Sequence, residues 1–139
     1  MTVLHRATCV ALSGRAILIE GEPGSGKSSL ALALIDRGAV LIGDDGVILT
    51  ARAGQLYASP PPNIAGLLEV RNLGLLQFPT VSDVRVDLVI QLDPDAPRFV
   101  EAAELANRAS AVVPLIRLWP GETAPERKAE LALERYGLP

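Results

Sequence analysis

Residues 16–45 read AILIEGEPGSGKSSLALALIDRGAVLIGDD, and this stretch decides the fold. An apolar run at 16–20 meets a glycine-rich loop, Gly21 to Gly26. The helix-forming run KSSLALALIDR follows at 27–37, and Gly38 is a natural stop. A second apolar run, AVLIG, then ends in Asp44 and Asp45. Residues 21–28, GEPGSGKS, match G-x-x-x-x-G-K-S in full. Glycines let backbone wrap closely around phosphate oxygens. The loop N–H groups and the following helix N-terminus then point at the anion. The phosphate-binding set is Gly21, Glu22, Pro23, Gly24, Ser25, Gly26, Lys27, Ser28 and Ser29. Lys27 supplies a mobile point charge, and Ser28 offers its hydroxyl to Mg²⁺.

Working outward, TCVAL at 8–12 and AILIE at 16–20 flank Ser13-Gly14, which predicts a β-hairpin. Downstream, residues 46–92 show no helical pattern. They read as short strands (VILTA, QLYA, GLLEV, LGLLQF and VRVDLVIQL) separated by Gly, Pro and Asn. The triplet Pro60, Pro61, Pro62 marks a stiff extended loop. A helix is expected over roughly 98–109, then a strand at AVVPLIRLW. A final helix is signalled by Thr123-Ala-Pro-Glu126, which reads as a capping box, with Gly137 after the last turn. The pattern is α/β: a strand-rich mixed sheet with few helices, in a single unit spanning 1–139.

Composition narrows the function. Of 139 residues, 49% are apolar, enough for a sizeable core, and the net charge is −3. A weakly acidic chain without a basic block is a poor nucleic-acid binder, because phosphate neutralisation needs clustered cations. Aromatics at 4% argue against a base-stacking platform for single strands. No apolar run reaches the roughly 18 residues of a membrane span. The lone Cys9 cannot form an internal disulfide, which points to a reducing, cytoplasmic setting.

Asp44 and Asp45 end a strand beside the phosphate loop. A carboxylate there can orient Mg²⁺ or take a proton from an attacking hydroxyl. The alternative is a solvated Asp-Asp-Gly turn. Asp93, after VDLVIQL, reads as a turn acid in Asp93-Pro-Asp95.

Taken together, GEPGSGKSSLALALIDRGAVLIGDD and LLEVRNLGLLQF resemble the HPr kinase/phosphorylase family, in its short alphaproteobacterial form. The resemblance implies a phosphate-loop domain of the HPr kinase and phosphoenolpyruvate carboxykinase type. It implies a kinase that uses ATP or pyrophosphate, with Mg²⁺, to phosphorylate a serine of an HPr-like phosphocarrier. It also implies the reverse phosphorolysis and a homo-oligomeric assembly. Position by position, Asp44 would be the base that activates the acceptor serine, and Asp45 would assist the metal or water network. Glu69 would join Ser28 as a Mg²⁺ contact. Arg71, on the same face of an extended segment, would organise the site. His5 would neighbour the acidic pair from the strand before the loop. Two positions depart from the family pattern. Asn72 stands where the family has Gly, and Asn tolerates left-handed backbone. Glu122, after Pro120-Gly121, stands where the family has Arg.

Three readings therefore remain: a serine kinase of an HPr-like carrier, a small-molecule kinase on the same loop, and a nucleotide- or phosphate-sensing module without turnover.

Overall fold

A computed structural model describes all 139 residues. Eleven strands and two helices follow in order: β1 (Thr2–His5), β2 (Thr8–Leu12), β3 (Arg15–Gly21), α1 (Lys27–Asp36), β4 (Val40–Gly43), β5 (Val47–Arg52), β6 (Gln55–Ser59), β7 (Leu67–Val70), β8 (Gly74–Gln77), β9 (Val84–Leu92), β10 (Glu104–Arg108), β11 (Ala111–Leu118) and α2 (Pro125–Tyr136). The main sheet runs β1-β5-β6-β9-β3-β2-β4, and β11, with β10 hairpinned onto it, joins β9. β7 and β8 form a separate hairpin.

The expected hairpin at 8–20 is present, with Thr8 opposite Ile19 and Leu12 opposite Arg15. β3 lies parallel to β9, and β9 lies parallel to β11. β4 is antiparallel to β2, which is antiparallel to β3, so β4 points the same way as β3. Four strands thus deliver their carboxyl ends to one edge. In spatial order those ends carry Asp44, the phosphate loop, Asp93 and Trp119. Ligands of open α/β sheets sit at such an edge.

Alternation along β3 divides the core. Ala16 and Leu18 face a strand-lined layer with Val47, Leu49 and Leu56 of β5 and β6. Ile17 and Ile19 face the helices, meeting Leu30 and Leu34 of α1 and Ala129 and Leu133 of α2. Each fully buried Leu or Ile contributes about 1.5–3 kcal/mol. β9 serves both layers and carries a bulge. Ala16 pairs with Val86, but Ile17 pairs with Leu88, leaving Asp87 as the extra residue. Val84 and Val86 therefore face the strand layer, and Leu88, Ile90 and Leu92 face the helices. Asp87 is 1% exposed. It accepts from Arg15 Nε at 2.8 Å and Arg85 Nε at 2.6 Å.

Two expectations are corrected. Residues 98–109 do not form a helix: 104–108 are β10, antiparallel to β11. The Glu, Leu and Ala content favours helix, but pairing with β11 buries Ala106 and prevails. The turn between them uses Ala109 and Ser110, both at positive φ (48° and 71°), so no Gly or Asn announced it. The Thr123 capping box does not form either. The cap residue is Ala124, in left-handed conformation and with no side-chain hydrogen bond, and Pro125 opens the helix.

Candidate active site

The phosphate loop hangs from the carboxyl end of β3. Gly26, at φ 104°, caps α1 in a conformation that a Cβ would strain. At Gly21 a Cβ would lie 2.6 Å from Ser25 Oγ, so the loop closes tightly only around glycine. Ser25 Oγ is buried without a hydrogen-bond partner. An orphaned hydroxyl inside an anion-binding loop fits a ligand that completes its bonding. Lys27 Nζ is held over the loop, donating to the carbonyls of Gly21 at 3.0 Å and Glu22 at 3.2 Å.

Asp44 closes the other side. Its Oδ1 accepts from Ser28 Oγ at 2.7 Å and from Thr8 Oγ1 at 2.9 Å. Its Oδ2 accepts from the Glu69 backbone N–H at 3.0 Å. Three donors from α1, β2 and β7 thus fix one carboxylate. Asp45 takes φ 56° and turns outward, 3.7 Å from Arg6. A cavity of about 350 Å³ is lined by Lys27, Ser28, Asp44, Asp45, Glu69 and Arg71, among others. Glu69 and Arg71 face it from the same side of the β7 segment, as alternation predicts. Arg71 has no carboxylate within ion-pair distance.

The oxygen donors around Ser28 (hydroxyl, Asp44 and Glu69) suit a hard cation.

His5 does not line the cavity of Asp44 and Asp45. Its Nε2 lies 2.7 Å from Glu20 Oε2, while the adjacent Arg6 reaches Asp45 at 3.7 Å. Arg108 binds the same carboxylate in a fork, Nε at 2.8 Å and Nη2 at 2.6 Å. Burial pushes the Glu20 carboxyl up, but Arg108 and His5 outweigh it and hold it down at about 2. Glu20 precedes Gly21, so this cluster braces the root of the loop from the strand layer. Sequence reasoning passed over Thr8, Glu20 and Arg108. Only the pairing register places Thr8 beside Asp44, and only the β10–β11 hairpin brings Arg108 to Glu20.

Asn72 adopts φ 73°, the left-handed conformation that Gly would take. Glu122 lies near the loop, lining a second cavity beside Gly24 and Ser25. Neither Arg117 nor Arg127 is free to replace the missing cation. Arg117 is bound by Asp93 and Glu104, and Arg127 by Glu130. Asp93 also accepts from the Asp95 backbone N–H at 2.8 Å, a turn acid as read from the sequence.

The family model for the HPr serine kinase C-terminal domain matches residues 1–107. The chain belongs to the HPr serine kinase C-terminal domain family. Among curated HPr kinase/phosphorylases, that of Clostridium tetani is 45% identical over 80 residues, which is 58% of this chain and 26% of the relative. That of Caldicellulosiruptor bescii is 36% identical over 99 residues, 66% of this chain and 32% of the relative. The aligned stretch thus spans about a quarter to a third of these curated relatives. The structure of the HPr(Ser) kinase/phosphatase from Coxiella burnetii superposes with a TM-score of 0.82 at 26% identity, covering 95% of this chain and 94% of that one. The α/β fold, with a strand-rich mixed sheet and two helices, is that of the HPr kinase C-terminal domain. No helix is long and apolar enough to cross a membrane.

Proposed function

We propose that the chain is a cytoplasmic serine kinase that transfers the γ-phosphoryl group of ATP to an HPr-like phosphocarrier. The names of its relatives support the reaction class. The observation that carries the reading is Asp44, clamped across the mouth of the phosphate loop by Ser28, Thr8 and the Glu69 N–H.

Each residue has a task. The loop N–H groups from Gly21 to Ser29 cradle the β- and γ-phosphates. Lys27 leaves its two loop carbonyls to donate to their oxygens. Ser28 and Glu69 would hold Mg²⁺, which neutralises developing charge on the phosphoryl oxygens when bound. Asp45 orders water at the rim, and Arg71 steadies the transferred group. The carrier's serine hydroxyl gives its proton to Asp44. A carboxylate offers about four lone-pair sites. Oδ1 already accepts two bonds and Oδ2 one, so the proton goes to Oδ2. Most of the acceleration comes from positioning and charge neutralisation.

Glu122 favours a forward-only kinase over one that also catalyses phosphorolysis, since the family's cation is absent at that position and Arg117 and Arg127 are held by other carboxylates. The test is transfer of labelled γ-phosphate from Mg·ATP to an HPr-type carrier, with Asp44→Asn as control. Serine labelling that vanishes in the variant supports the kinase. Nucleotide binding without transfer moves the reading to a sensing module, with Glu122→Arg the first reversion to make.

A further inference from the structure

The phosphate loop has a cavity on each side. One is the acidic cavity of Asp44 and Glu69. The other, of about 500 Å³, is walled by Leu30, Leu92, Trp119, Pro120 and Glu122, and shares Gly24, Gly26, Ser29 and Arg71 with the first. Strand order explains the division. β4 brings Asp44 to one flank of the loop, and β11, beyond β9, brings Trp119 to the other.

The two sides differ chiefly in one aromatic residue. The first sets hydroxyl, carboxylate and ammonium groups beside Ile64, Leu67 and Leu75. The second sets the chain's one tryptophan, with Leu30, Leu92, Pro120 and Pro125, beside Ser25, Arg71 and Glu122. Trp119 Nε1 donates to the Ala96 carbonyl at 2.7 Å. Its polar edge is therefore satisfied and its plane anchored, while 40% of the residue stays exposed. A held aromatic face with apolar neighbours suits another π-face. The Glu122 carboxylate, 3.7 Å from Lys128 Nζ, can accept from sugar hydroxyls.

We infer that this second cavity receives the nucleoside of the phosphoryl donor, with its base stacked on Trp119 and its phosphates passing over Ser29 into the loop. This rests on the kinase reading of the same loop. It gives a nucleoside triphosphate a contact that pyrophosphate lacks. Pyrophosphate would fill the loop and leave Trp119 untouched.

Because Trp119 is the chain's one tryptophan, its intrinsic fluorescence reports the cavity directly. The whole chain is titrated, in Mg²⁺, with a non-hydrolysable ATP analogue, with ADP and with pyrophosphate. The nucleotides are expected to shift or quench the emission, and pyrophosphate to bind by calorimetry without doing so. Losing a base–aromatic stack costs about tenfold in affinity. Trp119→Ala should therefore weaken both nucleotides by about that factor and leave pyrophosphate unchanged, and Trp119→Phe should recover most of the loss. Unchanged pyrophosphate binding also shows that the variant is folded. If pyrophosphate binds but nucleotides neither perturb Trp119 nor weaken in Trp119→Ala, the nucleoside lies elsewhere and the inference falls alone. If pyrophosphate does not bind the wild-type chain, the phosphate-loop reading falls, and this inference with it.

Discussion

Ser28 Oγ donates to Asp44 Oδ1 across 2.7 Å, tying the first turn of α1 to the end of β4. Thr8 donates to the same oxygen from β2. Ser28 is assigned to metal and phosphate, so Thr8 is the donor free to act on orientation alone. Thr8→Val removes one hydrogen bond of about 1 kcal/mol at nearly constant shape. Transfer should fall about fivefold in kcat with little change in KM for ATP, and Thr8→Ser should restore it. An unchanged kcat would remove Thr8 from the positioning of Asp44.

The Glu20 carboxyl is held at about 2, below its ordinary 4.5, by Arg108 and His5 against the cost of burial. A carboxyl depressed on folding stabilises the native state above its unfolded pKa. That stabilisation fades as pH falls from about 4.5 toward 2. Its size is of order 3 kcal/mol. Urea unfolding at pH 7, 4 and 3 should show Glu20→Gln less stable than wild type at pH 7, with the gap narrowing in acid. A gap independent of pH would mean the ion pair does not carry the effect.

Asp87 is buried between two guanidinium groups. Its backbone carbonyl accepts from the Leu138 N–H at 2.9 Å. Arg15 Nη2 donates to the Leu138 carbonyl at 2.6 Å, and Arg85 Nη2 to that of Pro139 at 2.7 Å. Asp87→Ala leaves two part-buried cations unpaired and should cost about 3–5 kcal/mol in denaturant unfolding. A loss below about 1 kcal/mol would mean that water replaces the carboxylate at little cost.

Asn72 holds φ 73° between β7 and β8. Asn72→Gly should be neutral or slightly stabilising. Asn72→Val should destabilise by about 1–2 kcal/mol and weaken nucleotide binding by mis-setting Arg71. Differential scanning calorimetry with a nucleotide titration separates the two effects.

Cys9 is fully buried, and burial pushes its thiol well above the usual range. Thiol reagents should label it only at the rate of global unfolding. Rapid labelling of native protein would mean that β2 opens locally.

The loop, α1 and the strands of 46–92 were legible because each is local. The motif spans eight residues, and each strand is bounded by its own turn residues. Asp44 was readable because it ends an apolar run beside that motif. What stayed hidden depends on register between distant strands. Nothing near Thr8 or Arg108 indicates a partner 36 or 88 residues away. The mistaken helix at 98–109 arose because Ala109-Ser110 carries no turn chemistry, while the preceding residues have helical propensity. His5 was read as a neighbour of the acidic pair. The strand pairing that would aim it at Glu20 instead could not be seen from the sequence.

The surplus residue at Asp87 gives β9 two phases. Up to Val86 the even-numbered side chains face the strand layer, and from Leu88 they face the helices, with Val89 back in the strand layer. Asp87 stands outside this alternation: without it Val86 and Leu88 would be neighbours on opposite faces, and both layers would keep their contacts. What the surplus residue adds is its buried carboxylate, held by Arg15 and Arg85. Gly21, where the phosphate loop leaves the sheet, pairs with Leu92. The strand that seats the loop thus also ties down Leu138 and Pro139, through the two arginines that its bulge residue holds, although no residue between Arg85 and Gln91 lines either cavity beside that loop.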